Sequence, residues 1–267
     1  MTEPDRSKQQ AAMQLPVILL PGIITPAEIT YRYLLPAFEG HATVIARDLA
    51  IYANGAPPHD YSLDMEVDAI LRTADAAGFG RFHLGGFSGG GAISAAFAAR
   101  HPDRLASLAL MEPAWFGNEG QSTDEIAVRE AVEATEDLPY EEMLAAFARL
   151  NVADDVELPA PPPGDPPAWM EHRPAGIFAI GPACRNHTLD LDTLKSLSCP
   201  VLYMRGARSN PAMYLRMQER AAAIFADFTV EIFADRHHFD PPHRSEPDRT
   251  ANLLLEFWER AEARLAA

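Results

Sequence analysis

The chain has 267 residues, of which 48% are hydrophobic and 22% are charged, proportions that suit one large globular domain. Its 38 aspartates and glutamates outnumber its 22 lysines and arginines, and the formal net charge is −16. This balance argues against a nucleic-acid partner and against binding to anionic membrane surfaces, because both require positive patches on the protein.

The first fourteen residues are polar, and we expect segment 1–14 to be disordered or loosely ordered. It lacks the apolar run of a signal peptide, and no stretch of the chain approaches 18 uncharged apolar residues. These features predict a soluble, cytoplasmic protein without a membrane partner. Two cysteines are too few for a disulfide framework, and no Cys/His spacing indicates a metal site. We therefore expect neither a metal nor another cofactor.

Six short apolar runs predict strands that are buried on both faces of a parallel sheet. Between several of these runs, apolar residues recur at helical spacing, as in Leu63, Val67 and Ile70. Alternating strands and helices predict an α/β fold with a mostly parallel central sheet flanked by helices. The six predicted strands are 15–20, 41–46, 82–87, 105–111, 201–204 and 228–233.

The alternation of strands and helices stops over segment 113–198. An acidic stretch with helical character near 123–150 is followed by a proline-rich run at 158–167. Proline lacks the backbone N–H that helices and sheets require, so this run is interpreted as a connector. Segment 113–198 is predicted to be an inserted helical cap, and 15–112 and 199–267 are predicted to form the core.

The sequence Gly86-Phe-Ser-Gly-Gly90 follows a predicted strand directly and opens a predicted helix. A Gly-x-Ser-x-Gly pattern at a strand-to-helix turn exposes the serine hydroxyl, since only small residues on either side let the backbones pass. The N-terminus of the helix also directs free amides and its positive dipole end to this position, which favours an oxyanion. Ser88 is therefore the predicted nucleophile.

Over nearly its whole length, the chain resembles the α/β-hydrolase superfamily. The resemblance implies an α/β-hydrolase fold and the chain order Ser, acid, His. It places one oxyanion-hole amide on Gly89, directly after the nucleophile, and the other on Ile23, although the family often has His-Gly where this chain has Pro21-Gly22. Four stretches carry the resemblance: the oxyanion strand and turn (17–23), the nucleophile elbow (86–90), the penultimate strand (200–206), and the histidine loop with the last helix (237–257).

A histidine near the C-terminus is expected to take the proton of Ser88, because a serine hydroxyl is a poor nucleophile without a neighbouring base. The preferred residue is His238, in the loop after the last predicted strand. Compared with the family, this loop has two extra residues before the last helix, so His237 remains an alternative. His243, which follows two prolines, is less favoured.

The acid of the triad is not where the family usually has it. An aspartate is common after the penultimate strand, but residues 206–210 of this chain contain no carboxylate. Glu112 ends the strand next to the elbow. In this position it resembles the acid of one branch of the superfamily, which includes haloalkane dehalogenases. Glu112 is therefore the predicted acid. In the alternative, Glu112 is structural and Asn210 orients the base without a charge.

An activated serine predicts the hydrolysis of an ester, a lactone or a related acyl bond through an acyl-serine intermediate. The residues expected to bind the substrate, Ile24, Trp115 and Phe116, are apolar, which indicates a small to medium apolar molecule. Two alternatives stay open. One is a cofactor-free lyase, C–C bond hydrolase or isomerase that uses the same serine and histidine, and the other is a non-catalytic ligand-binding homologue. The sequence indicates no oligomeric state.

Overall fold

The computed structural model describes residues 14–135, 138–159 and 165–266. Most of the predicted N-terminal segment 1–14 and residues 160–164 of the proline-rich run lie outside the described residues. In the described part of the chain, one sheet contains six parallel strands in the order β2-β1-β3-β4-β5-β6. The strands are β1 (Val17–Leu20), β2 (Val44–Ala46), β3 (Phe82–Phe87), β4 (Leu105–Met111), β5 (Val201–Gly206) and β6 (Phe228–Phe233).

The helices of the described residues alternate with the strands except between β4 and β5, as the sequence pattern predicts. The predicted α/β fold is confirmed, although β1 and β2 begin two or three residues later than expected and β5 is two residues longer. The helices are α1 (Ala27–Thr30), α2 (Leu63–Ala76), α3 (Gly89–Arg100), α4 (Thr123–Glu133), α5 (Tyr140–Leu150), α6 (Arg173–Asn186), α7 (Leu191–Lys195), α8 (Arg216–Ile224), α9 (Pro242–Ser245) and α10 (Pro247–Leu265).

Helices cover both faces of the sheet, because side chains of a strand point alternately to its two faces. In β1, Ile18 and Leu20 belong to the core beneath α2, α3 and α8. Val17 and Leu19 belong to a second core, which includes Trp258 of α10. Strands covered on both sides need to be apolar throughout, and this explains the continuous runs of β1, β3, β4 and β5, which are almost entirely buried. The prediction of burial on both faces is wrong for β2 and β6, which lie at the two edges of the sheet and are mostly half-buried or exposed.

Segment 113–198 contains α4 to α7 and connects β4 to β5 along the chain. These two strands are neighbours in the sheet. The stretch predicted to be helical near 123–150 forms two helices, α4 and α5. Ser122 caps α4 in a reciprocal arrangement with Glu125, and the buried Glu125 carboxylate also binds Arg220 of α8 at 3.0 Å. These contacts anchor the segment to the rest of the fold. Among the residues that the structure describes, no helix is both long and apolar enough to cross a bilayer.

The strand order determines where a site can form. β3 and β4 are neighbours at the centre of the sheet, and all strands are parallel, so their carboxyl ends meet at one edge. Ligands of open α/β sheets bind at this edge, outside the carboxyl ends of the strands. Ser88 and Glu112 are the first residues after β3 and β4, respectively.

Candidate active site

Ser88 occupies a sharp turn between the last residue of β3 and the first residue of α3. Its φ of 51° and ψ of −117° are unusual for a residue with a side chain. Glycines make the turn feasible: a Cβ on Gly86 would lie 2.2 Å from the Gly90 carbonyl oxygen, and a Cβ on Gly90 would lie 2.4 Å from the Pro21 carbonyl oxygen. The two glycines of the motif are therefore required by close contacts between backbone segments.

Three side chains predicted from the sequence come together at the edge of the sheet. His238 Nε2 lies 3.0 Å from Ser88 Oγ, and His238 Nδ1 lies 3.0 Å from Glu112 Oε2. All three residues are buried, with exposed fractions of 5% for Ser88, 4% for His238 and 3% for Glu112. A carboxylate can only accept, so the proton of a neutral His238 belongs on Nδ1 and leaves Nε2 free to accept the hydroxyl proton of Ser88.

The second carboxylate oxygen of Glu112 has its own donors. Oε1 accepts hydrogen bonds from the Gly206 amide at 2.8 Å and from the Ser209 hydroxyl. The backbone of Glu112 also has a positive φ, of 44°. Ser209 was not singled out in the sequence, although it lies in the loop after β5 where the family usually has its acid. Here that loop orients a carboxylate that is supplied by the neighbouring strand.

Two aromatic rings stack against the imidazole of His238. The ring of Phe87 lies 4.9 Å away with an interplanar angle of 29°, and that of Tyr214 lies 4.8 Å away with an angle of 18°. The hydroxyl of the buried Tyr214 donates a hydrogen bond to Asn151 Oδ1. Such stacking restricts the plane of the imidazole.

The two alternative histidines lie apart from these contacts. His237 forms a backbone bridge with Asp240 at the base of the loop. His243 is buried against the rings of Phe87 and Tyr31, at 4.6 and 5.3 Å. Burial lowers the pKa of His243 to about 3, with smaller contributions from nearby positive charges, so it is neutral at neutral pH.

Asn210, the alternative to Glu112, makes other hydrogen bonds. Its Nδ2 donates to the Leu150 carbonyl oxygen at 2.7 Å, and its Oδ1 accepts from the Ala212 amide at 3.0 Å. These bonds cap the short π-helical turn at Pro211–Leu215, which carries Tyr214. Asn210 thus supports the loop beside His238, whereas the nitrogen Nδ1 of His238 is bound by Glu112.

The two amides predicted to form an oxyanion hole lie on adjacent segments. A Cβ built on Gly89 would lie 3.4 Å from the Ile23 amide nitrogen. In the described part of the chain, neither the Ile23 nor the Gly89 amide donates to a backbone acceptor. Both amides are available beside Ser88, at the N-terminus of α3 where the helix dipole adds a favourable positive potential.

Comparisons with known proteins agree with this architecture. Residues 16–134 match a family described as having the alpha/beta hydrolase fold. A thermophilic esterase from Thermogutta terrifontis has a similar structure, with a TM-score of 0.66, 20% identity and coverage of 94% of this chain and 91% of the other. A meta-cleavage product hydrolase from Pseudomonas fluorescens gives a TM-score of 0.64, 20% identity and coverage of 94% and 92%. This chain has the α/β-hydrolase fold.

A curated protein is similar to this chain in sequence over a shorter region. It is 2-hydroxy-6-oxo-2,4-heptadienoate hydrolase from Pseudomonas putida, which is 35% identical over 102 residues. The match covers 36% of this chain and 36% of the relative. The chain thus matches only about a third of the length of that relative.

In the described part of the chain, two cavities contact Ser88. The first has a volume of about 150 Å³, and its walls are mainly apolar side chains of segment 113–198 and the core. Trp115 and Phe116, both predicted to bind substrate, line it together with Phe147, Ile177, Ile180 and Met213. The second, of about 160 Å³, lies between the turn after β1 and the histidine loop. The third predicted residue, Ile24, lines this second cavity.

Tyr52, which the sequence did not single out, links the turn after β1 to segment 113–198. Its hydroxyl donates a hydrogen bond of 2.6 Å to the Ile23 carbonyl oxygen. Its ring lies under the guanidinium of Arg173 in α6, 3.8 Å from the ring centre, and Arg173 forms a salt bridge of 2.6 Å with Asp48. A Cβ on Gly176 of α6 would lie 2.3 Å from the Tyr52 hydroxyl oxygen, so the helix is closely packed on it. Tyr52 therefore restricts the backbone that carries the Ile23 amide.

We expect Tyr52→Phe to lower kcat for an ester about 10-fold with little change in KM. The substitution keeps the ring under Arg173 and removes the hydroxyl, which donates to the Ile23 carbonyl oxygen at 2.6 Å and more weakly to the Arg173 carbonyl oxygen at 3.4 Å. Loss of a complete oxyanion-hole donor costs about 100-fold or more. Steady-state kinetics measure the effect. Tyr61→Phe is a matched control, since the Tyr61 hydroxyl donates to Glu66 instead. An equal loss of kcat in both variants would contradict the positioning role of Tyr52.

Proposed function

We propose that this protein is a serine hydrolase that cleaves an ester, a lactone or a related acyl bond of a small to medium apolar substrate. The observation that carries the proposal is the continuous contact from Ser88 Oγ through His238 to Glu112, with 3.0 Å at each step. A nucleophile, a base and a group that orients the base, in this geometry, are the requirements of covalent acyl transfer.

In the first half of the proposed reaction, Ser88 Oγ attacks the carbonyl carbon of the substrate and its proton moves to His238 Nε2. The carbonyl oxygen becomes an oxyanion, which the Ile23 and Gly89 amides stabilise by hydrogen bonds. Glu112 stabilises the imidazolium that has formed. The oxyanion then collapses, the bond to the leaving group breaks, and the leaving atom takes the proton from His238.

In the second half, water replaces the leaving group. His238 Nε2 takes a proton from the water as the water oxygen attacks the acyl carbon, and the same two amides stabilise the second oxyanion. The bond to Ser88 Oγ then breaks, and the proton returns to Ser88. The products are a carboxylic acid and the leaving group in protonated form, and the enzyme is restored without a cofactor.

The apolar cavity supports the proposed substrate class. Its aromatic and aliphatic walls bind the hydrocarbon groups of a substrate, because burial of apolar surface is favourable. Contact with a highly polar molecule contributes little binding free energy. In the described part of segment 113–198, four helices follow one another along the chain between β4 and β5, and residues from this segment form much of the cavity wall. We propose that the segment is a cap over the site and that the enzyme acts in the cytoplasm.

Hydrolysis of a carbon–carbon bond by the same Ser88 and His238 is a second candidate. The relative from Pseudomonas putida favours it, because the substrate in that protein's name, 2-hydroxy-6-oxo-2,4-heptadienoate, contains a ketone and a carboxylate but no ester. The similarity to a meta-cleavage product hydrolase points in the same direction. Turnover of such a keto-dienoate, compared with turnover of a simple ester, discriminates the two candidates.

A fluorophosphonate probe with intact-mass detection tests the proposal. We expect one probe per chain in the wild type and none in Ser88→Ala, because only an activated serine displaces fluoride. Ser196→Ala is the matched control: its hydroxyl is exposed and donates to the Thr193 carbonyl oxygen, far from the triad in the chain. Labelling should persist in this variant. A folded wild type that takes up no probe would refute an activated Ser88.

A further inference from the structure

The two cavities that meet at Ser88 differ in chemistry. We call the first cavity the apolar arm and the second cavity the arginine arm. Both are lined by Ile23, Ser88 and Phe147, so they are two branches of one site. The arginine arm is also lined by Arg32 and Arg244, whereas the walls of the apolar arm are largely hydrocarbon.

The position of His238 assigns the halves of a substrate to the two arms. In acyl transfer the leaving atom takes a proton from His238 Nε2, so the leaving group has to lie on the side of the imidazole. Among the described residues, His238 lines the arginine arm and not the apolar arm. The acyl half therefore belongs in the apolar arm, and the leaving group belongs in the arginine arm.

The charges of the arginine arm are not neutralised within it. No aspartate or glutamate is among the described residues that line it. Arg32 stacks over the ring of its neighbour Tyr33 at 4.5 Å and forms no salt bridge within the described part of the chain. Arg244 lies 3.8 Å from Asp240, whose carboxylate also binds Arg236.

The other polar groups of this arm do not remove its positive charge. His243 is neutral at neutral pH, and Thr25 and Thr30 contribute hydroxyls. The apolar arm differs, because each of its charged groups has a salt-bridge partner. Glu125 binds Arg220, and Glu133 lies within salt-bridge distance of both Arg129 and Arg185. Arg32 is thus a positive charge at this arm that has no salt-bridge partner in the described part of the chain, whereas Arg244 is paired with Asp240. The full chain has a net charge of −16. At physiological salt, acidic side chains more than about 8 Å away are screened. Arg32 therefore dominates the electrostatic potential in the arginine arm.

We propose that the leaving half of the substrate carries a carboxylate that binds Arg32, with Arg244 as a second cation at the same arm. The substrate class is then an ester of an apolar acid with a hydroxy acid. This inference rests on the proposed function and deepens it. The leaving oxygen takes the proton from His238, and the released hydroxy acid keeps its carboxylate unchanged throughout.

Matched esters test the inference: the butanoates of 3- and 4-hydroxybenzoate against the butanoates of the corresponding neutral hydroxybenzamides. The acyl half is identical, and the carboxamide makes the intrinsically better leaving group because it withdraws electrons more strongly. We expect kcat/KM to favour the carboxylate ester about fivefold for at least one isomer, the scale of a partly exposed ion pair. In Arg32→Gln the ratio should fall to one or below, because the remaining intrinsic difference between the leaving groups favours the amide.

In each variant the amide ester serves as the control for the carboxylate ester. A substitution that impairs the reaction of Ser88 in general lowers kcat/KM for both esters by the same factor and leaves their ratio unchanged. Arg72→Gln removes the same charge from an exposed position on α2 and should leave the ratio of the wild type intact. Equal rates for both esters in the wild type, or a preference that survives Arg32→Gln, would overturn the inference while the serine mechanism stands. If Ser88→Ala hydrolyses both esters as fast as the wild type, the proposed function and the inference fail together.

Discussion

Replacing His238 with alanine is expected to lower the turnover of an ester about 10⁶-fold, the scale found when one member of a coupled serine–histidine pair is removed. Without the imidazole, the proton of Ser88 has no acceptor at 3.0 Å and the leaving group has no donor. Single-turnover and steady-state hydrolysis of an activated ester measure the loss. Fluorophosphonate labelling should disappear in parallel.

His237→Ala is the matched control, because it removes the same side chain from the preceding position. His237 is bridged to Asp240 and does not contact Ser88 or Glu112 in the described hydrogen bonds. We expect it to keep turnover within a few-fold of the wild type. If His237→Ala were the inactive variant and His238→Ala the active one, the base would have been assigned to the wrong histidine.

Glu112→Gln is expected to lower kcat about 10⁴-fold with little effect on the fold. An amide at this position can donate to His238 Nδ1, which places the imidazole proton on Nε2 and leaves no acceptor for the Ser88 hydroxyl. The same tautomer effect gives about 10⁴-fold when a triad aspartate becomes asparagine. Kinetics on the purified variant measure it, and thermal unfolding checks that the variant is folded.

Two further variants test whether Glu112 orients His238 or has only a structural role. Asn210→Ala removes the alternative orienting group, and Ser209→Ala removes one donor to the second oxygen of Glu112. We expect Ser209→Ala to have a smaller effect than Glu112→Gln, since Gly206 still donates to that oxygen. Near-normal turnover in Glu112→Gln together with a large loss in Asn210→Ala would show that the acid is not Glu112.

Local sequence patterns predicted the fold and the strand-to-helix turn at Ser88, because each depends on the residue types in a short stretch of the chain. The apolar runs of the inner strands follow from burial on both faces. Gly86 is required by a contact with the Gly90 backbone within the elbow, whereas Gly90 is required by the Pro21 carbonyl oxygen after β1. The proximity of Glu112 to Ser88 could be predicted from the sequence because of the sheet topology. In a parallel sheet, the ends of β3 and β4 are neighbours, so a carboxylate after one strand is close to a serine after the other.

The supporting residues were not accessible from the sequence. Tyr52 and Ile23 are 29 positions apart, and their hydrogen bond depends on how the loop after β2 folds back onto the turn after β1. Ser209 and Glu112 are 97 positions apart, and no periodicity connects them. The cavity walls depend on α4 to α6, whose apolar faces gave no indication of which residues turn toward Ser88. Tertiary packing decides all three.

The backbone conformations of Ser88 and Glu112 have an evolutionary consequence. Both residues have a positive φ, of 51° and 44°, a conformation that costs on the order of 1–3 kcal/mol in a residue with a side chain. Glycine adopts it without that strain. In a lineage that no longer needs the reaction, selection for stability alone would therefore favour glycine at these two positions. Glycine at both positions 88 and 112 in a homologue would therefore indicate that its lineage has lost the proposed hydrolase activity.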